Sequence, residues 1–477
     1  MKAPFSPYLL GIKDGLKELI GLLGRDYPYV SALATDSVGF ALSISQHAKA
    51  VRNETMTTER GIVLRVWQEG QYSEYALNEF DPAAPEAAYA QVKAALEAQA
   101  DLLRAAGTQV YETPALADEP QTLFVEMETE QLPERADLKA LVERLTAVSD
   151  RGMTLDERMI ECVCSAQSTH ISKLFLTANR DLAQSYVYSE GTVAAVVMEN
   201  GRNQVGYSVL SGRCGPELFD RLPEKLEKVV AEASGLLSAE RIEPGEYEII
   251  TSPEVTGLIA HEAFGHGVEM DMFVKNRALG KDYIGKRVGS DLCTMHEGAL
   301  CAEDVTSYAF DDEGTLAGDV TEIDHGILKT GICDALAALR LGVEPTGNGK
   351  RENFEHKVYT RMTNTMFDSG EDTLEDMIAA TKHGFLLEGM ESGMEDPKHW
   401  GIQCIIKQGR EIVDGQFTGR VVAPIIMTGY VPDLLGGICM CSRDREVFGS
   451  GGCGKGHKEW VKVADGGPYL KTKARLG

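Results

Sequence analysis

Residues 258–267 read LIAHEAFGHG, in which two imidazoles, His261 and His266, flank the carboxylate of Glu262 within an otherwise apolar segment. Pro253 lies a few residues earlier, and the fixed φ angle of proline suits the first turn of a helix. The segment therefore predicts a helix that carries two histidines and one glutamate in an otherwise apolar context.

The spacing of the two histidines is unusual for a metal-binding helix. On a regular α-helix, side chains five residues apart point about 140° away from each other, so His261 and His266 could not share one ion. A π-type turn of about 4.4 residues reduces this angle to about 50°. Gly265 and Gly267 flank the second histidine and accept a looser backbone. We therefore predict a widened or broken turn over residues 264–267; the alternative is two unrelated histidines, one of them buried and hydrogen-bonded.

A third ligand has to come from elsewhere in the chain, because a catalytic zinc ion normally takes three protein ligands. Residues 448–457 read FGSGGCGKGH and surround one thiol, Cys453, with five glycines. Lys455 would favour the thiolate form of this cysteine. A simple turn with a buried thiol would explain the same pattern. Other side chains could serve as the third ligand instead: His457, Glu269 and Asp271.

The N-terminal half has the alternating character of an α/β region. Short strands are predicted at 38–46, 62–67 and 71–75, with a hairpin turn between the last two. An alanine-rich helix is predicted over 85–106, followed by Gly107 at the position of a C-terminal cap.

The C-terminal half is richer in strand patterns. The Glu-Pro-Gly sequence at 243–245 is the candidate boundary between the two halves. We predict an N-terminal α/β region over residues 1–238, with a possible break near 110–120, and a β-rich C-terminal domain over residues 239–477. The fold class is α+β, and the β-rich domain carries the metal-binding helix.

Local signals predict further elements in the C-terminal half. Asp324-His325-Gly326 and Gln408-Gly409 each lie between apolar runs and predict hairpin turns. Asp372, with Glu375 three residues later, predicts the start of a helix. The glycine of His383-Gly384 predicts its end.

Composition excludes several classes of partner. The 477 residues include 47 Lys and Arg against 73 Asp and Glu, a formal charge of -26, which repels nucleic acids and anionic lipids. No apolar run approaches the length of about 20 residues that a membrane span needs, and no signal peptide is evident. The ten cysteines are typical of reduced thiols in a large chain. We therefore expect a cytoplasmic protein with no nucleic-acid or membrane partner.

Several separated motifs, in this order, resemble the TldD/PmbA family of metallopeptidases, formerly described as modulators of DNA gyrase. The resemblance covers most of the chain and is densest from Gly245 to Lys455. It rests on five segments: His261 to Asp271, Phe310 to Gly314, Thr346 to Gly349, Arg361 to Thr365, and Cys453 to Lys455.

The resemblance implies a zinc site and a catalytic residue. In the metal-bearing TldD branch, the corresponding positions are His261, His266 and Cys453 as Zn²⁺ ligands and Glu262 as the catalytic carboxylate. The family also implies peptide substrates that are short or unfolded. It further implies a dimer, either a homodimer or a heterodimer with a TldE/PmbA-like subunit. His457 departs from the family pattern, which commonly has Gln at that position.

Three functional hypotheses remain open from the sequence. The first is a zinc-dependent peptidase in which Glu262 acts as general base and then as general acid. The second is a non-peptidase zinc hydrolase, because two His and one Cys also resemble the ligand set of peptide deformylase. The third is a catalytically silent binding subunit of a TldD/TldE-like complex, against which the presence of Glu262 argues. Arg361 and Asn364 are candidates for either substrate contacts or structural roles.

Overall fold

The computed structural model describes residues 1–107, 111–449 and 451–477 and has the predicted α+β fold. Among the described residues, eight strands form a sheet in the N-terminal half and eleven strands form a sheet in the C-terminal half. The predicted break near 110–120 includes one residue, 110, that lies outside the described residues. The division of the chain at 238 and 239 remains a prediction, with which the separate sheets agree.

The N-terminal sheet has the strand order β4-β3-β1-β6-β7-β5, with β2 beside β1 and β8 beside β7. Its strands are β1 (Tyr29–Ile44), β2 (Lys49–Arg52), β3 (Arg60–Gln68), β4 (Gln71–Leu77), β5 (Gln121–Glu126), β6 (Met159–Leu176), β7 (Arg180–Glu199) and β8 (Arg202–Gly212). Its helices are α1 (Pro7–Leu23), α2 (Pro85–Ala106), α3 (Leu138–Gly152) and α4 (Leu226–Leu236), with 3-10 helices at Pro133–Arg135 and Pro216–Lys225. Apolar faces of these helices cover the sheet, which explains the alternating pattern of the sequence.

The C-terminal half is built around a sheet that closes on itself. Its strands are β9 (Gly245–Thr251), β10 (Met295–Glu297), β11 (Val320–Asp324), β12 (Ile327–Leu328), β13 (Gly349–Lys350), β14 (Tyr359–Thr360), β15 (Asn364–Phe367), β16 (His383–Asp396), β17 (Gly401–Val413), β18 (Gln416–Val422), β19 (Ile425–Tyr430), β20 (Met440–Phe448), β21 (Gly452–Lys455), β22 (Lys458–Lys462) and β23 (Ala464–Leu476). The order β9-β16-β17-β19-β23 forms a closed barrel, because β9 pairs with β16 on one side and with β23 on the other.

One long helical segment packs against this barrel. It consists of α5 (Pro253–Leu258), a π-helix (Ile259–Gly265) and a 3-10 turn (His266–Val268). The remaining helices are short: α6 (Asp271–Val274), a 3-10 helix (Leu279–Tyr283), α7 (Ala335–Leu341), α8 (Leu374–Ala379) and α9 (Val431–Gly436). Apolar residues of the helical segment belong to the main C-terminal core. The barrel therefore holds this segment from one side along most of its length.

Buried ion pairs join the two halves of the chain. Arg65 on β3 pairs with Glu74 on β4 at 2.8 Å and also with Glu313 of the C-terminal half. Lys173 on β6 pairs with Asp312 of the same C-terminal turn. These side chains are largely buried, so the two halves meet through charges that have exchanged water for each other.

Two local predictions for the C-terminal half were wrong. Gln408-Gly409 lies inside β17, and the chain turns instead at Asp414-Gly415, whose positive φ angles suit a tight hairpin. The helix predicted to end at His383-Gly384 ends at Ala379, and Thr373 caps its start in place of Asp372. The hairpin predicted at Asp324-His325-Gly326 is confirmed. None of the helices in the described part of the chain combines the length and apolar character that a membrane crossing requires.

Candidate metal centre

The predicted widened turn is confirmed and starts earlier than expected. The π-helix begins at Ile259, and the backbone N–H of His266 donates to the carbonyl oxygen of His261, five residues back. The two imidazole rings consequently lie side by side, with their centroids 4.9 Å apart and nearly perpendicular planes. Gly265 has ordinary helical dihedral angles. Packing requires glycine at position 265, because a Cβ atom there would lie 2.3 Å from Sδ of Met362.

The small hairpin of β21 and β22 brings Cys453 to the two histidines. A side chain on Gly452 would overlap the indole ring of Trp460, with its Cβ 2.4 Å from Nε1. A Cβ on Gly454 would lie 2.8 Å from the same ring. The glycines around the cysteine therefore let the indole cross the hairpin closely. Ser450, part of the predicted glycine-rich loop, lies outside the described residues.

Three donor atoms converge in the interior. One ligand atom from each of His261, His266 and Cys453 lies within 4.8 Å of the other two. Nε2 of His266 and Sγ of Cys453 are 3.3 Å apart. Each of the three residues is only 5% exposed. Two imidazoles and one thiol at such distances are a donor set that suits zinc.

A carboxylate lies behind each imidazole. Nδ1 of His266 is 3.3 Å from a carboxylate oxygen of Glu269, which orients this ring so that Nε2 faces the thiol. Nδ1 of His261 is 3.8 Å from a carboxylate oxygen of Asp465 and makes no hydrogen bond to any described residue. Carboxylates in this position are typical partners of metal-binding histidines.

Buried cations balance these acidic groups. Nζ of Lys458 lies 3.0 Å from Glu269 and 2.9 Å from Asp271. Burial alone would raise the pKa of Glu269, but the charges of Lys458 and His266 outweigh it and hold this pKa well below its usual range. Glu269 therefore carries a full negative charge in the protein interior.

The surroundings of Cys453 also shift the pKa of its thiol. Burial raises its pKa, and the charge and hydrogen bond of His266, together with the Arg361 guanidinium, more than reverse that effect. Arg361 also donates to the carbonyl oxygen of Cys453 at 2.6 Å. The environment of this cysteine therefore favours the thiolate, the form that binds metals.

Glu262 is partly exposed, whereas the three candidate ligands are buried. Its carboxylate makes no hydrogen bond or ion pair with a residue in the described ranges. Strand β16 passes close by, since a Cβ atom on Gly393 would lie 2.4 Å from Cγ of Glu262. The carboxylate therefore lies beside β16 without a polar partner among the described residues.

The alternative third ligands occupy other positions. Glu269 and Asp271 bind Lys458, as described above, and so form part of the surrounding charge network. His457 is exposed, packs edge-on against Tyr359 at 5.4 Å and lies 3.5 Å from Nζ of Lys275. Asn364 is buried and bonds to Thr306 and Gly298, which indicates a structural role.

Two acidic residues near the site were missed from the sequence. Asp465 is the second residue of the last strand and lacks any motif around it. Glu395 on β16 has a fully buried side chain whose oxygens make no hydrogen bond, 3.9 Å from Nζ of Lys455. Burial, aided by the charges of Glu269 and Glu262, raises the pKa of Glu395 well above its usual range despite Lys455. Only tertiary contacts identify these residues.

The fold and the site together define an α+β protein with a buried cluster of two imidazoles and a thiol, arranged as a potential metal-binding site. Residues 244–471 match the family described as the PmbA/TldA metallopeptidase C-terminal domain. This C-terminal half of the chain belongs to the TldD/PmbA family.

Named relatives point in the same direction. A metalloprotease of Methanocaldococcus jannaschii is 32% identical over 285 residues, 59% of this chain and 61% of the relative. A zinc metalloprotease TldD homolog of Saccharolobus solfataricus is 30% identical over 290 residues, 60% of this chain and 62% of the relative. Less than two thirds of each relative's length is therefore matched.

A solved structure supports the fold over nearly the full chain. TldE from Thermococcus kodakarensis superposes with a TM-score of 0.77 at 16% identity, covering 97% of this chain and 100% of that one. At this level of identity the likeness concerns the fold alone.

Proposed function

We propose that this chain is a zinc-dependent peptidase of the TldD branch that hydrolyses short or unfolded peptides. The observation that carries the proposal is the convergence of His261, His266 and Cys453 in the interior, with the free carboxylate of Glu262 on the same helical segment. The names of the relatives support a metal-dependent hydrolase.

The residues fit a zinc ion. His261, His266 and Cys453 provide the two nitrogens and one sulfur of a three-ligand catalytic site. Glu269 and Asp465 stand behind the two imidazoles, so the ring atoms that point inward are the ones free to bind a metal. Zinc supplies Lewis acidity at such a site, which activates water and polarises a carbonyl group.

The other groups have distinct roles in hydrolysis. Glu262 takes a proton from the attacking water and later delivers it to the leaving amine. Lys455 donates to the carbonyl oxygen of His266 at 3.1 Å, which ties the hairpin of Cys453 to the helical segment. Arg361 holds the same hairpin through the Cys453 carbonyl. Cations around the thiol offset the charge that it adds to the site.

We propose that the peptide binds along β16. Strand β9 pairs with β16 only from Gly384 to Leu387, whereas β17 pairs with it as far as Asp396. In the described structure no strand covers the other edge of β16 beyond Leu387. The Tyr207 hydroxyl donates to the Met390 carbonyl oxygen on this strand, so the proposed peptide edge lies farther along, close to Gly393 and Glu262. An added peptide strand would gain main-chain hydrogen bonds there without requiring a particular sequence.

Further expectations belong to the same proposal. We expect residues 1–238 and 239–477 to be two domains and the protein to be cytoplasmic. We also expect a dimer, either of identical chains or with a TldE/PmbA-like subunit.

Metal content together with cleavage tests the proposal. Wild-type protein is expected to hold one zinc per chain, and Cys453→Ser or His266→Ala should lose it. Glu262→Gln should keep the zinc but reduce cleavage of an unfolded peptide by about 100-fold or more, the loss expected when a general base is removed. Unchanged zinc stoichiometry in both ligand variants would refute the site.

Two further outcomes distinguish the other hypotheses. Cleavage of a formylated peptide at its formyl group, with no peptide-bond hydrolysis, would indicate a non-peptidase hydrolase. Absence of zinc and of cleavage in carefully purified protein, alone and with a TldE-like subunit, would indicate a binding subunit.

A further inference from the structure

A cleft of about 660 Å³ opens between the two halves of the chain, next to β16. Its C-terminal lining includes Ser252 to Glu254 at the start of α5 and Glu388 and Gly389 on β16. Its N-terminal lining includes the end of the 3-10 helix Pro216–Lys225 and the first turns of α4. The proposed function, with a peptide on β16, does not by itself assign a role to this cleft.

Three cations line the N-terminal side of the cleft. Arg221, Lys225 and Lys228 all face it, and none of them forms an ion pair with a residue in the described part of the chain. In a protein with a formal charge of -26, an unpaired row of three cations is a marked local reversal of charge. Cations that line a concave surface raise the local concentration of anionic ligands.

The acidic residues of the cleft leave part of this positive charge uncompensated. Glu388 pairs with Arg410 at 2.9 Å, and Glu232 pairs with Lys407 at 2.6 Å. Two acidic residues of the cleft remain outside these ion pairs: Glu446, which is exposed, and Glu254. Burial, with the nearby charge of Glu232, raises the pKa of Glu254 to about 7, so it is only partly charged at neutral pH.

The distance between the cleft and Glu262 follows from residue spacing in two ways, along strand β16 and along the helical segment. Gly389 lines the cleft and Gly393 contacts Glu262, a separation of four strand residues or about 13 Å. Glu254 precedes Glu262 by eight residues on one helical segment, or about 12 Å. Both distances correspond to about four residues of an extended peptide.

We propose that this cleft binds a carboxylate of the peptide substrate about four residues from the bond that is cleaved. The carboxylate is supplied either by an acidic side chain or by the C-terminus of the peptide. The inference rests on the proposed peptidase function and on a peptide lying along β16. Binding in the cleft would give a preference for acidic peptides to a site that otherwise contacts only the main chain of the peptide.

The test uses full-length, zinc-loaded protein and uncharged ten-residue peptides labelled with a fluorophore. One set carries a single Glu or Gln four residues before or after the cleaved bond, which mass spectrometry locates. A second set compares a free C-terminal carboxylate with an amide at the same distance. We expect the best carboxylate peptide to have a KM about fivefold lower than its neutral match, as for two or three partly exposed ion pairs.

The variant Lys225→Glu/Lys228→Glu should bring the ratio of the two KM values to one or reverse it. High salt should move the wild-type ratio towards one, because the cations are solvated. Arg52→Glu, an exposed substitution on β2, is the matched control and should leave the ratio unchanged. A ratio near one in the wild type, or an equal ratio in the Lys225/Lys228 variant, would overturn the inference.

Binding measured by fluorescence anisotropy separates this inference from the proposed function. Preferential binding of carboxylate peptides that the double variant removes, without any cleavage, would support the cleft and refute the peptidase. Cleavage without a carboxylate preference would refute the cleft and support the peptidase. Neither binding nor cleavage would refute both.

Discussion

Gly393 illustrates how the absence of one side chain lets a strand lie close to Glu262, the proposed general base. A Cβ atom there would lie 2.4 Å from Cγ of Glu262, so the strand reaches the carboxylate only as glycine. Gly393→Ala should displace Glu262 and reduce kcat by about 100-fold, as expected for a misplacement of about 1 Å. The zinc content should remain at the wild-type value, which elemental analysis would check alongside peptide cleavage.

Gly401→Ala is the matched control for this prediction. Gly401 lies on the adjacent strand of the same hairpin, and an added Cβ atom there meets nothing within 4 Å. This variant should retain the wild-type kcat. Equal losses in Gly393→Ala and Gly401→Ala would mean that the hairpin tolerates no substitution, and would remove the special role of contact with Glu262.

Glu269 is the second residue whose role depends on its surroundings. It orients His266 and neutralises the buried ammonium group of Lys458. Glu269→Gln should weaken zinc binding by about 10- to 100-fold, the usual effect of losing a carboxylate behind a metal-binding histidine. It should also lower the free energy of unfolding by about 3 kcal/mol, because Lys458 loses a buried counter-charge.

Chelator competition measures the first effect of Glu269→Gln and urea unfolding of the metal-free protein the second. Glu371→Gln provides a control, since that side chain is 95% exposed. Wild-type zinc affinity in Glu269→Gln would contradict the proposed orientation of His266.

At the scale of elements, the hairpin of β21 and β22 decides whether the thiol reaches the histidines. Gly452→Ala places a Cβ atom 2.4 Å from the Trp460 indole, so the indole or the strands must shift. We expect zinc affinity to fall by about tenfold or more, consistent with an overpacking cost of about 1–3 kcal/mol. Isothermal titration with zinc would measure the loss.

The same hairpin offers its own controls. Gly451→Ala should be nearly neutral, since the nearest atom to the added Cβ is a methyl group of Val463 at 3.7 Å. Gly452→Ala/Trp460→Ala should recover most of the affinity, because the obstructing indole is gone. Failure of the double variant to recover would show that Gly452 matters for a reason other than the indole.

Elements with purely local signals were predicted well. Helix α2 spans Pro85–Ala106 as expected, and Gly107 adopts the left-handed conformation of a helix cap. Gln408-Gly409 shows the limit of such signals, because a glycine between apolar runs also occurs where β17 packs closely against side chains of the neighbouring barrel strands. There a Cβ atom would lie 2.7 Å from Ile425. The sequence alone does not distinguish these two uses of glycine.

At the scale of the whole molecule, buried charges fix the two halves against each other and make their contact sensitive to acid. Burial raises the pKa of Glu74, but the ion pairs with Arg65 and Arg351 outweigh it and lower this pKa to about 2. A carboxylate with a depressed pKa stabilises the fold above its unfolded pKa of 4.5, and this stabilisation is lost as the pH falls towards 2.

Glu74→Gln should therefore destabilise the protein most at neutral pH. The difference in unfolding free energy from the wild type should narrow by about 2 kcal/mol between pH 7 and pH 3, because the Glu74 carboxylate of the unfolded wild-type chain becomes protonated in this range while that of the folded protein stays largely ionised. Urea unfolding at several pH values measures this difference. Glu79→Gln, an exposed substitution after the same strand, should show no such trend; a constant difference for Glu74→Gln would contradict the ion-pair account.

The sequence by itself determined the α+β class, the widened helical turn with its two histidines, and the elements that begin or end at proline and glycine, because these depend on backbone preferences and on residues close together in the chain. Only the tertiary structure decided how Cys453 meets His266 from 187 residues away and which carboxylates stand behind the imidazoles. It also decided that β16 passes close to Glu262, at a point where no other described strand than β17 pairs with it. These relations depend on barrel closure and on packing between distant segments, for which no short stretch of sequence carries a signal.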